Sequence, residues 1–146
     1  MRRLAALVLL LPLGGCGWGP FAGDPIDEYC EVVKEEAPGL TRTIDERGTE
    51  GLLASLPTLE DLGEEAPDDV SDDWRVLHGA LHEFQDALEG TGIDPNEVEG
   101  ELPADLSREE RTTIRDAATR LLSPEVTRAT AEVEQHALDV CKTPLL

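Results

Sequence analysis

Positive charge is scarce in this chain: 12 Lys and Arg stand against 32 Asp and Glu, a formal net charge of −20. The acids are spread along the sequence rather than gathered in one tail, so nucleic acid and anionic lipid head groups would be repelled by the surface as a whole. Long apolar runs are missing as well. The longest, Leu4 to Leu13, falls far short of the roughly 20 residues a helix needs to span a bilayer. No segment shows the period-two alternation or β-branched clustering of a strand, and no internal repeat is present.

Catalytic signatures are absent too. Neither a Gly-x-x-x-x-Gly-Lys phosphate cradle nor a dinucleotide-binding glycine fingerprint occurs. A serine or threonine nucleophile needs a base beside it. Here Ser71, Ser107 and Ser123 read as helix caps, and Ser55 lies within a helical stretch. Carboxylates are so abundant that no one pair stands out as a hydrolytic dyad. Asp94-Pro95-Asn96 begins like a calcium loop but continues with Val98 and Glu99, where Asn or Asp and Gly are required. The chain therefore reads as non-enzymatic, with no cofactor implied.

What is present begins at the amino terminus. Arg2 and Arg3 precede the apolar run, which ends in Leu13-Gly14-Gly15-Cys16. A basic start, a short apolar stretch and a small residue before the cut make the layout of a secretory signal peptide. With a cysteine directly after Leu-x-Gly, this stretch resembles the lipobox of bacterial lipoproteins. The resemblance implies that residues 1–15 are a cleaved signal peptide and that Cys16 receives a diacylglycerol and further acylation such as palmitate. It also implies a protein held by lipid on the extracytoplasmic face of the cell membrane. Both signal arginines would leave with the peptide, making the remainder more acidic still. Attachment would then rest on acyl chains, which contribute about 0.8 kcal/mol per buried CH₂.

Three cysteines divide into one and two. With Cys16 lipidated, Cys30 and Cys141 remain, both in an oxidising compartment where disulfides persist, and we read them as one bridge. A loop of order 100 residues corresponds to about 4.7 kcal/mol in the chain-entropy model. The alternative, a redox-active or metal-binding thiol pair, lacks a Cys-x-x-Cys or a nearby histidine set. Residues 16–24 comprise Cys16 and a tether of residues 17–24 that reaches under roughly 30 Å at about 3.4 Å per residue. Its Trp18 and Phe21 either rest in the lipid interface, as aromatic belts do, or fold back on the domain.

From residue 25 to residue 146 the pattern is helical. Asp24 is placed to cap a helix that opens at Pro25, with Ile26, Tyr29, Cys30, Val33 and Ala37 on one apolar stripe. Pro38-Gly39 predicts a break or kink, after which Leu40 and Ile44 continue to Gly48. Thr49 then caps a segment bearing Leu52, Leu53, Leu56, Leu59 and Leu62, bent at Pro57. The acidic run Glu64, Glu65, Asp68, Asp69, Asp72 and Asp73 reads as the approach to a third helix. Ser71 is its expected cap, and Asp72 and Asp73 face the positive end of its dipole.

That third helix, about Asp72 to Glu89, carries Val70, Trp74, Leu77, Leu81, Phe84 and Leu88 in alternating steps of four and three, the spacing of a helix packed lengthwise in a bundle. Gly90 and Gly92 end it. A loop or single turn covers residues 93–106. Ser107-Arg108-Glu109-Glu110 is a capping box for a helix burying Ile114, Ala117, Ala118, Leu121 and Leu122. Ser123-Pro124 starts the last, which runs through Val126, Ala129, Val133, Ala137 and Val140 to Cys141. The expected architecture is a single all-α domain, a compact bundle of four to five helices with one disulfide joining the first and last, which places those two antiparallel and adjacent. The lipobox, the tether, Tyr29-Cys30 and the terminal Cys141 together resemble the small helical, disulfide-closed lipoproteins of unassigned function found in actinobacteria.

One constellation carries possible chemistry. His78, His82 and Asp86 follow at i, i+4 and i+8, and two imidazoles one turn apart can share a transition metal. The glutamate of a His-Glu-x-x-His protease is missing, since the sequence reads His78-Gly79-Ala80-Leu81-His82. The functional expectation is a membrane-tethered interaction or scaffolding module of the cell envelope, acting on an unidentified envelope protein. The alternative is an extracytoplasmic binding protein for a metal cation or small ligand.

Overall fold

The computed structural model describes residues 24–95 and 102–145, which form five α-helices and a closing π-helical turn, with no strand among them. The helices are α1 (Pro25–Ala54), α2 (Leu56–Glu64), α3 (Asp68–Glu89), α4 (Arg108–Leu121) and α5 (Pro124–His136); the π turn spans Ala137–Cys141. Residues 1–23, including Cys16 and the tether aromatics, lie outside the described residues, as do Asn96 and its continuation to residue 101.

Local chemistry sets the helix starts. The Asp24 carboxylate accepts from the Ile26 N–H, and Pro25 occupies the first turn, where its missing donor has no consequence. Ser123 accepts from the Val126 N–H in the same manner at α5. At α4 the reciprocal box is complete: Ser107 Oγ accepts from the Glu110 N–H at 3.2 Å, while the Glu110 carboxylate accepts from the Ser107 N–H at 2.7 Å. Hydrogen bonding to the carboxyl from the Ser107 side chain and from the Ser107 backbone N–H holds Glu110 below its ordinary range.

α3 is the axis of the molecule, packing against α2, α4 and α5. All six expected seam residues, Val70, Trp74, Leu77, Leu81, Phe84 and Leu88, are buried. The larger core joins the first half of α3 to Tyr29, Val33, Leu59, Leu62 and Val133. A smaller one lies under α4, where Phe84 and Leu88 meet Leu53, Ile114 and Ala117.

The bridge is present between Cys30 and Cys141, 111 residues apart, and both cysteines are buried. It ties α1 to the π turn. The body of α5 lies on α3, and α1 meets the last helix mainly through this turn, so the two are neighbours at one end rather than along their length. Beyond Cys141 the chain reverses at Lys142, in the left-handed region, and runs along α1. Leu145 is buried there, and its carbonyl accepts from the Thr41 hydroxyl, which also donates to Ala37.

Several boundaries differ from the sequence expectation. α1 continues through Pro38, where residues 34 and 38 are both exposed and solvent can take the carbonyl that proline leaves unpaired. The only break in α1 is the expected one at Gly48, whose φ of 57° and ψ of −128° only glycine adopts easily. Pro57 sits in the first turn of α2 rather than bending a helix interior. α3 starts four residues early, capped by the extended backbone of Pro67, with Asp68 and Asp69 in its first turn. Ser71 is consequently inside the helix, and its hydroxyl donates to the Asp68 carbonyl. Ile26, Leu122 and Val140, assigned to buried stripes, are exposed, Leu122 by 79%. Leu122 lies at the cap where α4 has already ended, and Val140 falls in the π turn, whose wider pitch rotates it off the helical stripe.

Candidate functional site

His78 and His82 both turn towards α2, and each finds a different partner there. His78 Nε2 lies 2.8 Å from the Leu59 carbonyl. A carbonyl can only accept, so the proton is on Nε2 and the neutral ring leaves Nδ1 as a lone pair. The imidazole is wedged between Trp74, with ring centroids 5.3 Å apart, and Gly63. A methyl group at residue 63 would stand 2.2 Å from His78 Cε1, so the absence of a side chain there makes the seat. Burial lowers the proton affinity of His78 below that of an ordinary histidine. The Leu59 carbonyl and the Glu60 and Glu64 carboxylates act the opposite way without overcoming it, and His82 adds to the lowering.

His82, one turn further on, is exposed and pairs its Nε2 with the Glu60 carboxylate at 2.6 Å. Asp86 is exposed. It lines two grooves together with His82: one of about 610 Å³ between α3 and α4, floored by Gly79, Ala87 and Ala117, and one of about 310 Å³ beside Pro57 and Glu60. The three sequence-selected residues thus share one side of α3, but the structure gives His78 to a backbone carbonyl and His82 to Glu60. Among the described residues no group of three or more His, Cys, Asp or Glu side chains is arranged to hold a metal ion. The pair is a two-point clamp from α3 onto α2, with hydrogen-bond partners Leu59 and Glu60 lying 19 and 22 positions away in sequence and Gly63 beside the His78 ring.

Sequence reasoning passed over His136. Its ring packs at a tilt against Tyr29, with centroids 5.7 Å apart, and both ring nitrogens are buried without a hydrogen-bond partner. Nε2 lies 3.4 Å from the Asp69 carboxylate, within ion-pair range but not aimed for a hydrogen bond. Only its position on the buried side of α5, between Val133 and Ala137, marked it in the sequence. Around it Asp69, Asp73, Glu132 and Asp139 line a shallow pocket of about 280 Å³, with Asp73 paired to Arg128 at 3.1 Å.

The remaining cleft of note, about 560 Å³, lies between α1 and the returning C-terminal segment, where Ala37, Pro38 and Pro144 are rimmed by Arg42, Asp45 and Glu46. No described helix is long and apolar enough to cross a membrane. No family model matches the chain, and neither does any curated protein or solved structure.

Proposed function

We propose that this chain is a lipid-anchored protein of the extracytoplasmic membrane face, whose acidic helical domain serves as a non-enzymatic interaction module of the cell envelope. The observation that carries the reading is the division of its three cysteines. Cys30 and Cys141 are consumed in a buried bridge, as suits an oxidising compartment, and Cys16 is left at the end of Leu13-Gly14-Gly15-Cys16. The bridge also supports export, because a buried disulfide of this kind is rare in reducing compartments. With no spanning helix among the described residues, acyl chains on Cys16 would supply the attachment.

The charge supports an interaction role of a particular kind. A chain of net −20, more acidic still without Arg2 and Arg3, attracts partners that present basic groups, and the attraction acts chiefly on encounter rate and is screened by salt.

Metabolic labelling with palmitate tests the anchor. The native chain should carry label and fractionate with membranes, whereas Cys16→Ala should carry none and appear in the medium or as uncleaved precursor. Mature, membrane-retained Cys16→Ala protein would refute the reading.

A further inference from the structure

We infer that the His78 seat is an acid-sensitive latch: proton uptake on the free Nδ1 weakens the contact and lets α2 open from α3. The geometry gives the latch its parts. The neutral ring fits a slot made by Trp74 on one side and the bare backbone of Gly63 on the other, with Nε2–H already committed to Leu59. A second proton would place a full charge in that half-buried slot, where Nδ1 has no protein acceptor and burial opposes the charge.

The charged groups facing His78 are Glu60 and Glu64 from α2 and His82 from α3 itself. Glu60 is already engaged by His82, so its carboxylate is shared rather than free to receive His78. The seated ring holds its proton more weakly than an open one, so opening is coupled to proton uptake. The sign follows: the latch is closed above the ordinary imidazole value of about 6.5 and loosens as pH falls below it.

The element that moves is also delimited. Ser55 separates α2 from α1, the backbone break at Gly48 lies just upstream, and Ala66-Pro67 separates α2 from α3. A short helix between such joints can open without unfolding the bundle. The His82–Glu60 contact and the buried Leu56, Leu59 and Leu62 keep the loosened helix tethered, so the response is a tilt rather than release.

Amide hydrogen exchange of the full chain, compared at pH 7.5 and pH 5.0 after correction for intrinsic rates, provides the test. Protection of Leu56–Glu64 should fall several-fold relative to α5 on acidification. His82→Gln should preserve that drop, and His78→Gln should abolish it. Unchanged relative protection in the native chain, or an equal drop in His78→Gln, would overturn the latch. Should His78→Gln not fold, imidazole resonances of the native chain decide the matter. The α2 amide shifts must then follow the His78 titration, and their following another histidine or none would equally overturn it.

Discussion

The indole of Trp74 donates its Nε1–H to the Tyr29 hydroxyl at 3.4 Å, joining two fully buried rings 45 residues apart in sequence. This contact ties α1 to α3 at the level of the bridge, since Tyr29 immediately precedes Cys30. Burial raises the Tyr29 proton affinity; the hydrogen bond from Trp74 acts against this and the Asp69 carboxylate adds to it.

Alkaline titration reads this directly, because Tyr29 is the only tyrosine in the chain. Phenolate absorbance should appear above the ordinary value of 10.0. The phenol ionises first in the unfolded chain, so stability should decline as pH rises past about 10, and the decline should be absent in Tyr29→Phe. That variant should lose about 1 kcal/mol at neutral pH, because the Trp74 donor is left without a partner. Absorbance rising at or below the free-tyrosine value would contradict the burial argument.

Replacing both Cys30 and Cys141 by alanine should destabilise the domain by about 2–5 kcal/mol, the range seen when native bridges are removed from small domains. The separation of 111 residues places this bridge among the long closures. Thermal melts with and without reductant would measure the effect, and non-reducing peptide mapping should recover one linked peptide containing both cysteines.

Two glycines provide a matched pair. Gly63→Ala would drive a methyl into the His78 ring, and should cost about 1–3 kcal/mol as an overpacked contact. Gly79→Ala meets nothing within 4 Å in the interior of α3 and should stabilise by about 0.5–1 kcal/mol through helix propensity. Denaturant titration of both variants would settle their order, and a neutral Gly63→Ala would show that the imidazole seat is looser than described.

The capping box makes a further claim on the sequence. Ser107→Ala should lower stability by about 1 kcal/mol. The Glu110 contribution should be present above its ordinary value of 4.5 and fade as pH falls through the lowered one. Comparing Glu110→Gln with the native chain across acid pH isolates that effect from the general relief of negative charge.

The features most legible in the sequence were those fixed within one turn of chain. Asp24, Ser107 and Ser123 cap the helices they precede, because a side-chain oxygen two or three residues ahead of an N–H needs no tertiary help. The seam of α3 was equally readable from its spacing. Ser71 misled because Asp68 and Asp69 are as good in a first turn as Asp72 and Asp73, and only packing selected the earlier start. Pro38 misled because an exposed helix surface tolerates one missing hydrogen bond, whereas the boundary read at Gly48-Thr49 coincides with the backbone break at Gly48. The histidine pair was visible as a pair. Its partners were not, since a backbone carbonyl at Leu59 and a bare Gly63 leave no chemical mark in sequence.

The bridge between Cys30 and Cys141 also defines how the domain bears load. A pull applied at Asp24 travels through less than two turns of α1 before it reaches a covalent link to the π turn. If the other end of the load is the C-terminal segment, tension passes from Cys141 straight into residues 142–145, and the 111-residue separation between the cysteines is bypassed. The helices of the core then lie off the line of force. Mechanical strength along this axis is set by the first turns of α1 and the seating of Leu145, while the same pull on a reduced chain would unravel the bundle from both ends.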